Sequence, residues 1–326
     1  MPRKDLIYME KKVHKTSIGG QAVLEGVMMK GPDKIAVAVR KSSGEIVTDI
    51  EETKPASKRN AFLKLPIIRG CIAFFESMII GVKTLMKSAE MYDLEEEEPE
   101  YKPSKVDEFI EKLFKNKDAV IYFSVIIAVI FSVGLFFIVP GIIFNYLAKV
   151  IESRIALNLI EGLIRIIIFL GYLALVSINK DIQRVFEYHG AEHKTIFAYE
   201  HGEELTPENV RKYQRFHPRC GTSFLLFVMI ISILVFSVIP KEIGGLKING
   251  FTIIFIKLLL LPIVSGISYE IIKWAGRSDN KLVMALSKPG MCLQRLTTRE
   301  PDDSQLEVAI ASIKAVIPEN REDDKW

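Results

Sequence analysis

Residues 187–221 read EYHGAEHKTIFAYEHGEELTPENVRKYQRFHPRCG and hold four of the chain's five histidines and one of its three cysteines. His189 and His193 are four apart, so on a helix their imidazoles leave from one face. Glu192 lies between them in the order His-x-x-Glu-His, the order in which reversed zincins pair two metal ligands with a general base. A catalytic zinc takes a third protein ligand and keeps a fourth position open, whereas a structural zinc closes all four. His217 and Cys220, in HPRC, offer one nitrogen and one sulfur donor. The set His189, His193, His217 and Cys220 suits zinc or another divalent transition metal. Glu270 is a further candidate ligand, and Lys194, Arg215 and Arg219 are candidates for holding an anionic group. Three readings follow: a catalytic metal with Glu192 moving the proton, a closed zinc site that staples the segment, and histidines that only hydrogen-bond. For the three cations the rival reading is an ordinary solvated basic face, and His201 reads as an exposed turn residue.

The elements that must position these groups start with the bilayer, because about 20 apolar residues cross it as a helix. Residues 119–139 are apolar, uncharged and end at Pro140. Residues 155–178 are long enough but carry Glu161 and Arg165, four apart and able to pair. Residues 224–239 are short and clean. Residues 251–272 carry Lys257, Pro262 and Glu270, and Lys257 is expected to snorkel or face the bundle interior. Four spans are expected. The segment 179–223 is rich in Lys and Arg, as are both terminal regions, while the short loops 140–154 and 240–250 hold two cations each. The positive-inside rule then puts both termini and the 179–223 loop in the cytosol.

Outside the spans, residues 1–60 read as strand and turn. The runs 35–39 and 46–50 flank a Ser-Ser-Gly turn and predict a hairpin. Before it, residues 18–32 are apolar and glycine-punctuated, a buried strand whose one acidic residue, Glu25, is a candidate for pointing into a site. Residues 61–90 predict an amphipathic helix along the membrane surface or packed on the spans, with Arg69, Glu76 and Lys83 on one face. Residues 91–117 read as an acidic solvated linker. In 273–326, a strand is expected, then a helix capped by Ser304 and Glu307 with the stripe Leu306, Ile310, Ile313 and Ile317. The expected architecture is a polytopic α-helical membrane protein of about four spans, with a cytosolic α+β domain built from both ends of the chain.

Composition narrows the function classes. Hydrophobic residues make up 49% and charged residues 25% of 326 residues, and the formal net charge is only +3. No global basic field marks a nucleic-acid binder. Walker-type glycine loops and Gly-x-Ser-x-Gly elbows are missing from the sequence. Cys71, Cys220 and Cys292 are too few and too widely spaced for a disulfide framework, and reduced thiols are expected. The charged N-terminus lacks a signal-peptide core.

IGGQAVLEGVMMKGP, HGAEHKTI, HPRCGTSF, ISYEI and LQRLTTREP resemble segments of the YqhQ-like family of bacterial membrane proteins, over about residues 16–317. That family is a domain of unknown function labelled a metal-dependent enzyme. The resemblance implies a bacterial inner-membrane protein in which His189, Glu192, His193, His217, Cys220, Glu25 and Glu270 lie in characteristic segments. It supplies no substrate. The expected function is a metal-dependent hydrolase at the cytosolic face, with the bilayer as partner and lipids or membrane proteins as substrate classes. The rival is a non-enzymatic scaffold or biogenesis factor with a structural metal or none. Transport, using Glu161, Arg165, Lys257 and Glu270, is a weaker third.

Overall fold

The computed structural model describes residues 13–53, 62–92, 117–239, 242–243, 246–247, 250–278 and 280–325. The body of the acidic linker, 93–116, lies outside them. The chain forms two units, one from residues 1–94, 174–227 and 265–326, the other from 95–173 and 228–264.

The first unit is built on an antiparallel sheet in the order β1 (Gly19–Val23), β2 (Gly26–Lys30), β3 (Lys34–Arg40) and β4 (Ile46–Glu52). The predicted hairpin is β3–β4. The segment expected as one buried strand is instead a second hairpin, β1–β2, turning at Leu24 and Glu25, where Glu25 adopts φ 46°. Successive strand side chains face opposite sides, and both sides here are apolar. Val23, Met28, Ile35, Val37 and Val39 meet Ile80 and Met91 of helix α1 (Ile68–Met91). Val27, Met29, Ala36 and Ala38 meet Tyr188, Ala191 and Ile196 on one helix and Leu306, Ile310 and Ile313 on another. The N-terminal sheet and the C-terminal helix therefore share a core.

Helix α1 occupies the predicted amphipathic segment. At its start, a Cβ on Gly70 would lie 2.8 Å from Gly266 Cα, so the α1 backbone packs directly on that part of the chain.

In the second unit, α2 (Lys117–Val133) passes through a π-helical turn, Gly134–Ile138, into α3 (Val139–Leu147). The expectation that this span ends at Pro140 is corrected. Proline removes a donor and crowds the carbonyl four residues back, here that of Phe136. The widened turn accommodates the ring, and Arg165 Nε donates to the Phe136 carbonyl at 2.9 Å. Helix α4 (Arg154–Val176) supplies that arginine. Glu161 accepts from Arg165 at 2.9 Å and pairs with Lys257, all three being buried. Lys257 thus faces inward.

Among the described residues, three helical stretches are long and apolar enough to cross a membrane: Phe123–Leu147, Ile155–Val176 and Thr252–Arg277. The third expected span, 224–239, folds as a 17-residue apolar helix, Gly221–Ser237. At 1.5 Å per residue it is about 25 Å long, short of the roughly 30 Å hydrocarbon core.

Two further expectations change. Nearly half of the 179–223 loop is helix α5 (Lys180–Glu200), followed by the single turn α6 (Pro207–Val210). Asn179 caps α5 by accepting from the Asp181 N–H at 2.7 Å, and no proline interrupts the run. The shorter apolar helix and the last candidate span belong to α7 (Gly221–Ser237) and α8 (Gly250–Arg277). The strand expected after them is helix α9 (Lys281–Thr297), which continues through Pro289. Its buried Leu293, Gln294 and Thr297 recur at helical spacing. In α10 (Asp303–Val316) the capping box is Asp302 with Gln305, two residues before the expected pair. Leu306, Ile310 and Ile313 are buried as expected, while Ile317 is already the extended C-cap.

Candidate metal centre

Helix α5 brings three of the expected groups into the core of the first unit. Gly190 is the contact that permits it. A Cβ there would sit 2.1 Å from the Arg299 carbonyl oxygen, so only glycine lets the chain after α9 lie against α5. Arg299 N–H donates to the Phe186 carbonyl at 2.8 Å and fixes the contact.

That approach places the Thr297 carbonyl 2.8 Å from His189 Nδ1. A carbonyl only accepts, so Nδ1 carries a proton and Nε2 is the nitrogen presented inward. On the other side of α5, the Arg215 carbonyl lies 2.5 Å from His193 Nδ1, with the same consequence. His193 Nε2 is buried and has no hydrogen-bond partner among the described residues. Metal-binding histidines are oriented in this way, one nitrogen donating to a carbonyl and the other presented inward.

Cys220, just before α7, completes the group. Its Sγ lies 3.2 Å from His189 Nε2 and accepts from the Thr222 N–H at 3.4 Å. Ligand atoms of His189, His193 and Cys220 all fall within 4.8 Å of one another. Two donors on a tetrahedral zinc, at about 2.05 and 2.3 Å from it, stand about 3.6 Å apart. To hold such an ion the His189–Cys220 pair would open by about 0.4 Å and any wider pair would close toward that separation. Burial alone would push the Cys220 thiol up, but the imidazoles of His193 and His189 outweigh it and hold the thiol well below its ordinary range. For His189, burial opposes protonation, yet the Cys220 sulfur beside it raises the pKa to about 9. A thiolate and an imidazolium that stabilise each other so strongly form a site where a cation would displace the proton.

Glu192 is also buried. Its Oε1 accepts from the Gly20 N–H of β1 at 3.1 Å, and Oε2 has no partner among the described residues. Burial raises its pKa, against the lowering by His189 and His193.

The other expected site residues fall elsewhere. His217 is buried with its ring 5.6 Å from that of His193, yet its Nε2 is 3.7 Å from Glu200 Oε2 and lies outside the three-ligand group. Arg219 pairs with buried Glu200, which also accepts from the Thr16 N–H at 2.8 Å. Lys194 is buried, pairs with Glu300 and donates to the Arg211 carbonyl at 3.1 Å. Glu25 pairs with Arg184 and accepts from the Tyr188 hydroxyl at 3.1 Å. Glu270 pairs with Arg69. Arg219 and Lys194 are therefore engaged in holding the fold, and Glu25 and Glu270 are neither ligands nor neighbours of the His–Cys group.

Sequence reasoning missed the groups that orient the ligands. Gln294 accepts from the His217 N–H at 2.8 Å and donates to the His217 carbonyl at 2.7 Å and to Ser223 Oγ at 3.1 Å. The Thr297 and Arg215 carbonyls and the Gly20 amide carry no side-chain signal at all. The segment LQRLTTREP, which contains Gln294 and Thr297, was the one available pointer.

A family model described as a protein of unknown function (DUF1385) matches residues 65–319. The chain is 35% identical over 315 residues to a Bacillus subtilis (strain 168) protein named uncharacterized protein YqhQ, covering 95% of each chain. No solved structure matches.

Proposed function

The chain belongs to the YqhQ-like DUF1385 family, and from the geometry of its own residues we propose that it is a metal-dependent hydrolase acting at the cytosolic face of a bacterial inner membrane. The carrying observation is the convergence of His189, His193 and Cys220 beside a buried carboxylate with one unengaged oxygen. His189, His193 and Cys220 hold a zinc-type ion. Such an ion supplies Lewis acidity toward the bond to be cleaved. Glu192 Oε2 takes the proton from the attacking water and returns it to the leaving group, while the Gly20 N–H keeps Oε1 in place. Of the three ligands, His189 is the one that is partly exposed, so substrate approaches from its side.

The membrane reading rests on the three long apolar helices and on chain order. Residues 1–94, 174–227 and 265–326 form one unit, so the chain leaves and rejoins it twice. If α8 crosses the bilayer, α7 must cross with it to bring the chain back. In this reading there are four spans with both termini and α5 in the cytosol, which the Lys and Arg distribution supports. Lipids and membrane proteins are then the substrates within reach.

A second reading is a closed structural zinc with His217 as fourth ligand, in a scaffold or biogenesis factor. The buried His217 Nε2, which has no hydrogen-bond partner within 3.5 Å among the described residues, favours it. Metal content of the full-length protein, purified in detergent without a metal-binding tag, separates these. The hydrolase keeps about one metal per chain in Glu192→Gln and loses it in His189→Ala/His193→Ala, and Glu192→Gln abolishes hydrolysis in a lipid and peptide substrate screen. A structural site loses metal and stability in His217→Ala and is indifferent to Glu192→Gln. A folded wild type that takes up no metal on titration removes both.

A further inference from the structure

A helix that covers a sheet from water turns its apolar side inward, and α1 does the reverse. Apart from Ile80 and Met91, which meet the sheet, its inner side carries the small residues Gly81, Thr84 and Ser88, three and four apart. Ser88 Oγ accepts from the Leu24 N–H at 3.2 Å, and a Cβ on Gly81 would lie 2.8 Å from Gln21 Oε1. The outward side carries Ile72, Phe75, Met78, Ile79, Val82 and Leu85, also three and four apart, with no charged residue on that face. Phe75, Met78, Ile79 and Leu85 are all at least half exposed. Arg69, Lys83 and Lys87 follow one flank, and each is tied back to the protein. Arg69 Nε donates to Glu270 at 2.6 Å, Lys83 pairs with Glu51 at 2.6 Å, and Lys87 pairs with Glu51 at 2.9 Å and with Asp49.

We propose that the outward face of α1 is seated in the acyl chains of the bilayer leaflet next to the first unit, so that α1 holds the sheet on the membrane. The place where α1 begins argues for lipid as the occupant. Its Gly70 packs on Gly266 of α8, inside the candidate span Thr252–Arg277. The end of that span carries Lys273, Arg277 and the largely exposed Trp274, and tryptophan and basic residues collect where a span meets water. Gly266 lies eight residues before Trp274, about 12 Å deeper along the helix at 1.5 Å per residue. Helix α1 therefore starts on the apolar side of that boundary, and its charge-free row continues from there. An apolar face with cations along its flank is the pattern of a helix lying in a leaflet. The proposal rests on α8 crossing the bilayer and is independent of the metal reading.

The test places single tryptophans in the full-length protein after Trp274→Phe and Trp326→Phe have removed the native two. Each variant is reconstituted in phosphatidylcholine vesicles with or without bromine on the acyl chains, and iodide is supplied on both sides of the vesicle. Phe75→Trp and Ile79→Trp are expected to lose about half of their emission or more to bromolipid, as for side chains seated roughly 5–10 Å into the leaflet, and to resist iodide. Phe75→Trp, an aromatic swap, keeps the test readable should Ile79→Trp fail to fold. Phe255→Trp, at an exposed position of α8, reports the span itself and is quenched by bromolipid. Lys314→Trp, exposed on α10 across the sheet from α1, responds to iodide alone. Iodide quenching at positions 75 and 79 equal to that at 314, with 255 still quenched by bromolipid, overturns the proposal and leaves the span standing. Shielding of 75 and 79 from both quenchers, with a doubled mass in light scattering, overturns the lipid occupant in favour of a second copy. Loss of bromolipid quenching at 255 overturns the membrane reading and the proposal with it.

Discussion

The Thr297 carbonyl accepts the Nδ1 proton of His189 at 2.8 Å, and this turns Nε2 toward Cys220 Sγ, 3.2 Å away. A backbone atom 108 residues along the chain thus selects the tautomer of the imidazole. Its position depends on the contact between Gly190 and Arg299.

Gly190→Ala tests that contact. The added methyl meets the Arg299 carbonyl, and overpacking of this kind costs about 1–3 kcal/mol. The variant is expected to unfold at lower denaturant concentration than wild type and to bind metal more weakly, because the Thr297 carbonyl moves with Arg299. Unchanged metal affinity in a folded Gly190→Ala protein would show that Thr297 does not orient His189.

Gln294→Leu keeps the bulk of the side chain and removes its three hydrogen bonds. The His217 N–H is then left unpaired in the core, and its carbonyl keeps only the Cys220 N–H at 3.4 Å, a loss of about 1–3 kcal/mol. Chemical denaturation reads the loss.

Glu161 holds two buried cations in the second unit. Removing one partner from a buried ionic group costs about 3–5 kcal/mol, whereas replacing the group by apolar side chains is often near neutral. Glu161→Gln should therefore lower thermal stability in detergent strongly, and Glu161→Gln/Lys257→Met should recover part of it. A double variant no better than the single one would mean that Lys257 is not paired with Glu161.

Burial pushes the His217 pKa down to about 4, against the opposing Glu200 carboxylate. In the unfolded chain histidine titrates near 6.5. Between these values the unfolded state binds the extra proton, so stability is full above about pH 6.5 and falls as pH drops toward 4, by about 3 kcal/mol if His217 acts alone. Unfolding of metal-stripped protein followed from pH 7 to pH 5 should show this slope, and His217→Gln should flatten it.

Much of the site was legible because its spacing is local. His189, Glu192 and His193 lie within one and a half turns of helix, and Cys220 follows three residues after His217. The β3–β4 hairpin was legible for the same reason, its apolar runs flanking one turn. The Pro140 stop was misread because the donor that satisfies the Phe136 carbonyl belongs to Arg165, in another helix. The strand expected before α10 was misread because Pro289 and Gly290 look like breakers until packing is known: a Cβ on Gly290 would lie 2.8 Å from the Ser223 side chain.

Sequence by itself determined the helical and apolar pattern, the family, and which residue types can seize a metal, since period and composition are properties of neighbouring residues. Tertiary structure decided which of them meet. It gathered His189, His193 and Cys220, left His217 beside Glu200, and gave Lys194, Arg219, Glu25 and Glu270 partners of their own. Those choices rest on backbone carbonyls and ion pairs between segments far apart in the chain, and a buried charge or donor must find its partner wherever folding brings one.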